Sequence, residues 1–142
     1  MTESKNIRVL VVGCGNMGAS HAKAYHSIPG FEICGLVSTG ASKEKLNQEL
    51  GGGQALYSDY YAALQETKPD AVCISTYPDT HEAFSIAALE AGCHVFLEKP
   101  IADSLAGAEN VAKAVLKSGK KLVVGYILRH HPSWIKFIEI TK

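Results

Sequence analysis

Short apolar runs, each followed by a helix-like segment, constrain this chain more than anything else in it. Ile7–Val12, interrupted only by Arg8, reads as a strand buried on both faces. Phe31–Val37, Ala71–Ser75, His94–Leu97 and Leu122–Tyr126 read the same way, and Ala55–Tyr57 fits a short strand. Between them, Asn16–Ile28, Ser42–Leu50, Asp59–Glu66, Asp79–Ala91 and Asp103–Ser118 read as helices. Pro29-Gly30, Gly51-Gly52-Gly53, Gly92 and Gly119 supply stops, while Ser42, Asp59 and either Asp103 or Ser104 are the expected N-caps. Pro132 opens one more helical stretch. Strands that alternate with crossover helices form a parallel sheet covered on both faces. The expected fold class is α/β, a doubly wound parallel sheet of the dinucleotide-binding, or Rossmann, kind.

Composition narrows the class of partner. The 142 residues suffice for one domain with a proper core, and a hydrophobic share of 46% against 20% charged is that of a soluble globular protein. Fourteen basic residues cancel fourteen acidic ones, so no net field favours nucleic acid or an anionic membrane. No apolar run reaches membrane-spanning length, and the polar start Met1–Asn6 does not read as a signal peptide. A cytoplasmic protein with neither nucleic-acid nor membrane partner is expected. Cys14, Cys34, Cys73 and Cys93 lack paired or metal-like spacing, so they are expected to be reduced and structural, with no metal site.

The glycines after the first strand carry the first chemical signal. Gly13, Gly15 and Gly18 form G-x-G-x-x-G, with Cys14, Asn16 and Met17 between them, after a strand and at the opening of a helix. In that context the first glycine permits a tight turn and the second lets backbone approach a pyrophosphate. The third lets helix and strand pack closely, while the helix start offers free N–H groups to the phosphates. A carboxylate that would bind the ribose diol is expected about twenty residues on; Ser38-Thr39-Gly40 stands there instead. Hydroxyls do not repel a 2′-phosphate and Lys43 lies near enough in sequence to pair with one, so NADP is slightly favoured over NAD. Simple turn chemistry for Ser38 and Thr39 and a solvated Lys43 are the plain alternatives.

Two further segments leave strand ends. Ser75-Thr76-Tyr77-Pro78-Asp79-Thr80-His81 follows the fourth strand, at the topological switch point where such sheets bind ligands. Ser75, Thr76 and Pro78 are candidate cofactor contacts; His81 is as well placed to be a capping or surface residue as a contact. Glu98-Lys99-Pro100 ends the fifth strand beside the same crevice. A lysine there can hold a reacting hydroxyl or carbonyl and move its proton, whereas the plain alternative is an exposed salt bridge.

Glu98-Lys99-Pro100, the loop Gly13–Gly18, the segment Thr76–His81 and the lead-in Ala87–Val95 together resemble the Gfo/Idh/MocA family, from about Ile7 to Pro132. The resemblance implies NAD(P)-dependent hydride transfer at a hydroxyl-bearing carbon of a sugar, cyclitol or similar polyol. It implies that Lys99 binds substrate and assists proton transfer, that Glu98 lies near the nicotinamide, and that Arg129 lies at the rim of the site. It also implies a second domain with a catalytic histidine beyond Lys142. On that expectation residues 1–131 form the dinucleotide domain and residues 132–142 begin a helix leading to a domain absent from this chain, which alone would not turn over. The apolar tail Trp134, Ile135, Phe137, Ile138 and Ile140 is expected to promote homo-oligomerisation. A dinucleotide-binding sensor or regulatory module that lost catalysis is the alternative, and a methyltransferase of similar fold a more distant one.

Overall fold

The computed structural model describes residues 6–141, so the polar start, apart from Asn6, lies outside the described residues, as does Lys142. The elements are β1 (Ile7–Val12), α1 (Asn16–Ser27), β2 (Phe31–Val37), α2 (Ser42–Glu49), β3 (Leu56–Tyr57), α3 (Tyr60–Thr67), β4 (Ala71–Ile74), α4 (Pro78–Glu90), β5 (His94–Leu97), α5 (Leu105–Ser118) and β6 (Leu122–Val124). A 3₁₀ turn over Ile127–His130 then leads into α6 (Pro132–Ile140). The sheet has six strands in the order β3-β2-β1-β4-β5-β6, and every pairing is parallel. That order is the doubly wound one, with its crevice where β1 and β4 diverge to opposite sides.

Strand alternation divides the core into two layers. Leu10, Val12, Val72, Ile74, Val95 and Leu97 face α3 and α4, where they meet Tyr60, Ala63, Leu64, Ala88 and Leu89. Val9, Val11, Leu36 and Cys73 face the other way, onto Ala22 of α1 and Leu46 of α2. Each fully buried aliphatic side chain contributes roughly 1.5–3 kcal/mol, so strands apolar on both faces hold both helix layers at once. Arg8, the one charge in β1, sits at the strand's outer end. Its Nη1 donates to the carbonyls of Thr67 (2.6 Å) and Lys68 (3.2 Å), closing the C-terminus of α3.

Most boundaries fall within a residue or two of the sequence reading. Asp59 caps α3, its carboxylate accepting the Ala62 N–H at 2.7 Å, and Ser104 rather than Asp103 caps α5. Ser42 is not a cap: it is the first helical residue of α2, after Ala41, and its hydroxyl is bonded to Ser38 Oγ at 2.8 Å. β6 stops at Val124, two residues short of the expected Tyr126, because the chain turns at Gly125 into the 3₁₀ turn. Helix α6 leaves Trp134, Ile135, Phe137, Ile138 and Ile140 exposed.

The tightest constraint lies under α1. A Cβ on Gly18 would stand 1.7 Å from the Gly13 carbonyl oxygen. Gly18→Ala should therefore cost at least the roughly 1–3 kcal/mol of an overpacked core, more than the roughly 1 kcal/mol expected of the cap-removing Asp59→Ala. Urea unfolding of the two variants beside wild type measures the difference.

Candidate functional site: the C-terminal edge of the sheet

The three glycines of the loop serve three different ends. Gly13 has φ +88°, a conformation that L side chains avoid, and a Cβ on it would meet the Ser75 carbonyl oxygen at 2.5 Å. Gly18 admits the helix against the loop. Gly15, by contrast, has no atom within 4 Å of where its Cβ would be. It is the N-cap of α1 in extended conformation and makes no side-chain cap, so no N-cap side chain takes up the first-turn N–H groups of the helix. Cys14 is turned inward between them, its thiol 3.5 Å from the Val37 carbonyl.

A cleft of about 530 Å³ opens above this loop, at the ends of β1, β2 and β4. Of the residues singled out from the sequence, it brings together Gly13, Gly15, Asn16, Met17, Ser38, Thr39, Ser75 and Thr76. Its lining contains no Asp, Glu, Lys, Arg or His, so the polar groups it offers are neutral: hydroxyls, the Asn16 amide and backbone. Lys43 is neither in that lining nor a solvated lysine. It is buried, and its Nζ donates to the carbonyls of Ser38 (2.9 Å) and Gly40 (3.0 Å), holding the loop after β2 in shape. Sequence motifs give no hint of the cleft's far wall, Tyr60 and Phe84, whose rings lie 4.3 Å apart while the Tyr60 hydroxyl donates to the Phe84 carbonyl. The only signal for that wall was two aromatic residues on different helices.

Pro78 is the first residue of α4, a position that needs no N–H donor. His81, in the first turn of the same helix, is completely buried. Its Nδ1 lies 2.6 Å from the Pro100 carbonyl and its Nε2 3.1 Å from the Thr76 carbonyl, so it faces protein on both sides rather than the cleft. Glu98 is also buried. One carboxylate oxygen lies 2.8 Å from Nε2 of His21, on α1, and the other accepts the Lys99 N–H at 3.2 Å. The His21 ring in turn packs on Phe96, with centroids 4.7 Å apart. Lys99 itself is exposed, and the Lys99-Pro100 bond is cis. Arg129 sits on the 3₁₀ turn, exposed, with its guanidinium 5.4 Å over the Tyr126 ring and outside the cleft lining. His21 was not singled out from the sequence; it lies three residues past Gly18, on the turn of α1 that reaches β5.

Against known proteins, residues 7–126 match the model of the Gfo/Idh/MocA oxidoreductase family, an NAD-binding Rossmann fold. The chain belongs to this family. Inositol 2-dehydrogenase 2 of Saccharopolyspora erythraea is 29% identical over 132 residues, covering 92% of this chain and 39% of that protein. The 4-carboxy-2-hydroxymuconate-6-semialdehyde dehydrogenase of a Sphingobium species is 33% identical over 127 residues, covering 89% and 40%. Among solved structures, scyllo-inositol dehydrogenase from Lactobacillus casei, with NAD(H) and scyllo-inositol bound, superposes with a TM-score of 0.86 at 26% identity, covering 96% of this chain and 41% of that one. The chain thus spans about two fifths of the length of the curated relatives it matches. Among the described residues no helix is long and apolar enough to cross a membrane.

All four cysteines of this Gfo/Idh/MocA domain are free thiols. Burial pushes Cys14 up to about 11, Cys73 up to about 12 and Cys93 up to about 11, from an ordinary 9.0. Raised folded-state values mean that the unfolded chain loses these protons first as pH rises. The stability they contribute is whole below pH 9 and is lost between pH 9 and about 11 to 12. The thermal midpoint should fall through that window, and Cys73→Ala should flatten the fall.

Proposed function

We propose that this chain is the cofactor-binding domain of an NAD(P)-dependent oxidoreductase acting at a hydroxyl-bearing carbon of a cyclitol, sugar or similar polyol. The observation that carries the reading is the open space at Gly15 beside an uncapped helix start. Such a cradle suits a group that brings its own negative charge and needs backbone at close range. The backbone of Gly13, Gly15, Asn16, Met17 and Gly18 would hold the pyrophosphate, Ser38 and Thr39 the adenosine ribose, and Ser75, Thr76 and Pro78 the other side of the crevice. Glu98 and Arg129 would stand toward the nicotinamide end. When bound, the dinucleotide supplies the hydride acceptor or donor. Lys99 would hold the substrate hydroxyl and take or return its proton, its ammonium having three donors and freedom to reach. The inositol and semialdehyde dehydrogenases it resembles support this class of substrate. At two fifths of their length, the chain supplies one side of a catalytic cleft, so turnover belongs to a longer protein.

The finer reading of the cofactor is a modest preference for NADPH. No carboxylate lines the cleft to repel a 2′-phosphate, and Lys43 is the cation nearest in sequence to Ser38 and Thr39. Its ammonium is held by two carbonyls and by the Glu44 carboxylate at 3.4 Å, so a phosphate would have to compete for it, which keeps the preference small. Self-association through the exposed apolar residues of α6 belongs to the same reading, and a monomeric mass by light scattering at high concentration would refute it.

Calorimetric titration with NADPH and then NADH tests the core of the proposal. Wild type should bind both, and Gly15→Val, whose side chain enters open space, should abolish binding while leaving the thermal midpoint nearly unchanged. Absence of binding by wild type overturns the reading. Ser38→Asp should weaken NADPH by about tenfold or more, through like-charge repulsion in a partly desolvated cleft, and should spare NADH.

A further inference from the structure

Two imidazoles, His21 half-buried and His81 buried, reach the same three-residue segment from opposite faces of the sheet. His21 comes from α1, on the Val9–Val11 side, and bonds the Glu98 carboxylate at 2.8 Å. His81 comes from α4, on the Leu10–Val12 side, and bonds the Pro100 carbonyl at 2.6 Å. Lys99 lies between those two anchored neighbours. Its own N–H donates to Glu98 Oε2 at 3.2 Å, while the Glu98 N–H donates to the Ile74 carbonyl at 2.9 Å. The backbone that carries the lysine is therefore pinned from both sides, while its side chain stays exposed.

We propose that His21 and His81 are positioning residues for Lys99, an imidazole clamp that fixes where its ammonium is presented and ties that place to the two loops at the cleft. The inference rests on the reading of Lys99 as the reacting lysine only for its consequence; the clamp is a matter of geometry. A lysine side chain free at four torsions explores a wide volume, so its reach is set by the backbone beneath it. His21 sits in the second turn of the helix whose start forms the glycine loop. The other ring nitrogen of His81, Nε2, lies 3.1 Å from the Thr76 carbonyl, so one ring stands between the switch-point loop and the Pro100 carbonyl. Carbonyl oxygens only accept, so each of these contacts is a donation from the ring, to one loop or the other according to tautomer. Glu98 has no slack of its own: a Cβ on the facing Gly125 would lie 3.2 Å from its Oε1. Removing either ring therefore frees one side of the segment, and the lysine moves with it.

Competitive labelling of the whole chain with acetic anhydride, read by mass spectrometry, reports how Lys99 is presented relative to the exposed Lys113. His21→Leu and His81→Phe should each change the Lys99/Lys113 ratio by about fivefold, the factor that one lost hydrogen bond supports. His21→Gln, which returns an amide N–H near the Nε2 position, should restore the wild-type ratio. A purely structural role would lower the thermal midpoint and leave the ratio alone. If His81→Phe does not fold, His21→Leu, at a partly open position, carries the test. An unchanged ratio in the folded variants overturns the clamp. NADH titration of the same samples separates the two ideas: loss of dinucleotide binding in wild type removes the cofactor reading, while a ratio that still responds to His21 and His81 upholds the clamp.

Discussion

The fold depends on one contact that leaves no room for a side chain, the meeting of Gly13, Gly18 and the end of β4. Gly13 turns the chain back over the Ser75 carbonyl, and Gly18 brings the first turn of α1 down onto the Gly13 carbonyl. With α1 seated so closely, its axis is fixed with respect to β1 and β4, and everything carried on it follows. Ala22 reaches the Val9–Val11 layer, and His21 reaches across to β5. A loose glycine loop would leave the same residues in the sequence but would not put the imidazole on Glu98. The contact also fixes the direction of the uncapped helix start, which is what makes Gly15 a cradle rather than an ordinary turn.

The parallel sheet supplies the second constraint. All its strands run the same way, so the ends of β1, β2 and β4 deliver their following loops to one edge, and β5 ends beside them. The cleft and the lysine segment are therefore neighbours by topology before any side chain is considered. Their chemistry is divided between them. The cleft lining is neutral, built of backbone, hydroxyls, the Asn16 amide and aromatic wall. The ionisable groups stand one strand over, where Glu98 is buried with its partners and Lys99 is exposed. That separation keeps the charged pair from competing with the loop for an anionic ligand.

What the sequence made legible follows from what backbone geometry demands locally. Apolar runs of strand length, glycine stops and the Asp59 cap each encode a local requirement, so elements and order could be read. The glycine loop was legible for the same reason, since each of its glycines answers a steric demand of the backbone. Ser42 was misread because a serine before a helical stretch satisfies the cap rule on paper, whereas in three dimensions Ser38 takes its hydroxyl. Lys43 reads from the sequence as a phosphate partner or a solvated lysine, because a lysine on a polar helix has no local mark that its ammonium will be drawn inward by two loop carbonyls. The aromatic wall of Tyr60 and Phe84 and the pairing of His21 with Glu98 join residues 24 and 77 positions apart. No period or motif encodes such contacts; only the packed helices do.

His81 shows how a functional motif and a structural one can be the same residue. Its place in the first turn of α4, after a hydroxyl-rich loop, suggests a ligand contact; its complete burial and two carbonyl partners make it an internal brace. A buried polar ring is costly unless its N–H finds an acceptor, and here either tautomer places that N–H on a backbone carbonyl of a segment that borders the site. The cost of burying the ring is thus offset by a bond to one of those segments, which gives a physical reason for a histidine where an apolar residue would pack as well. The same logic applies to Glu98, a carboxylate taken out of water and held by an imidazole and a backbone N–H. With Glu98 desolvated and bonded on one side of Lys99 and the Pro100 carbonyl facing His81 on the other, the charge of the segment that projects into solvent is the ammonium, so the polar cost of the site is arranged around the lysine rather than borne by it.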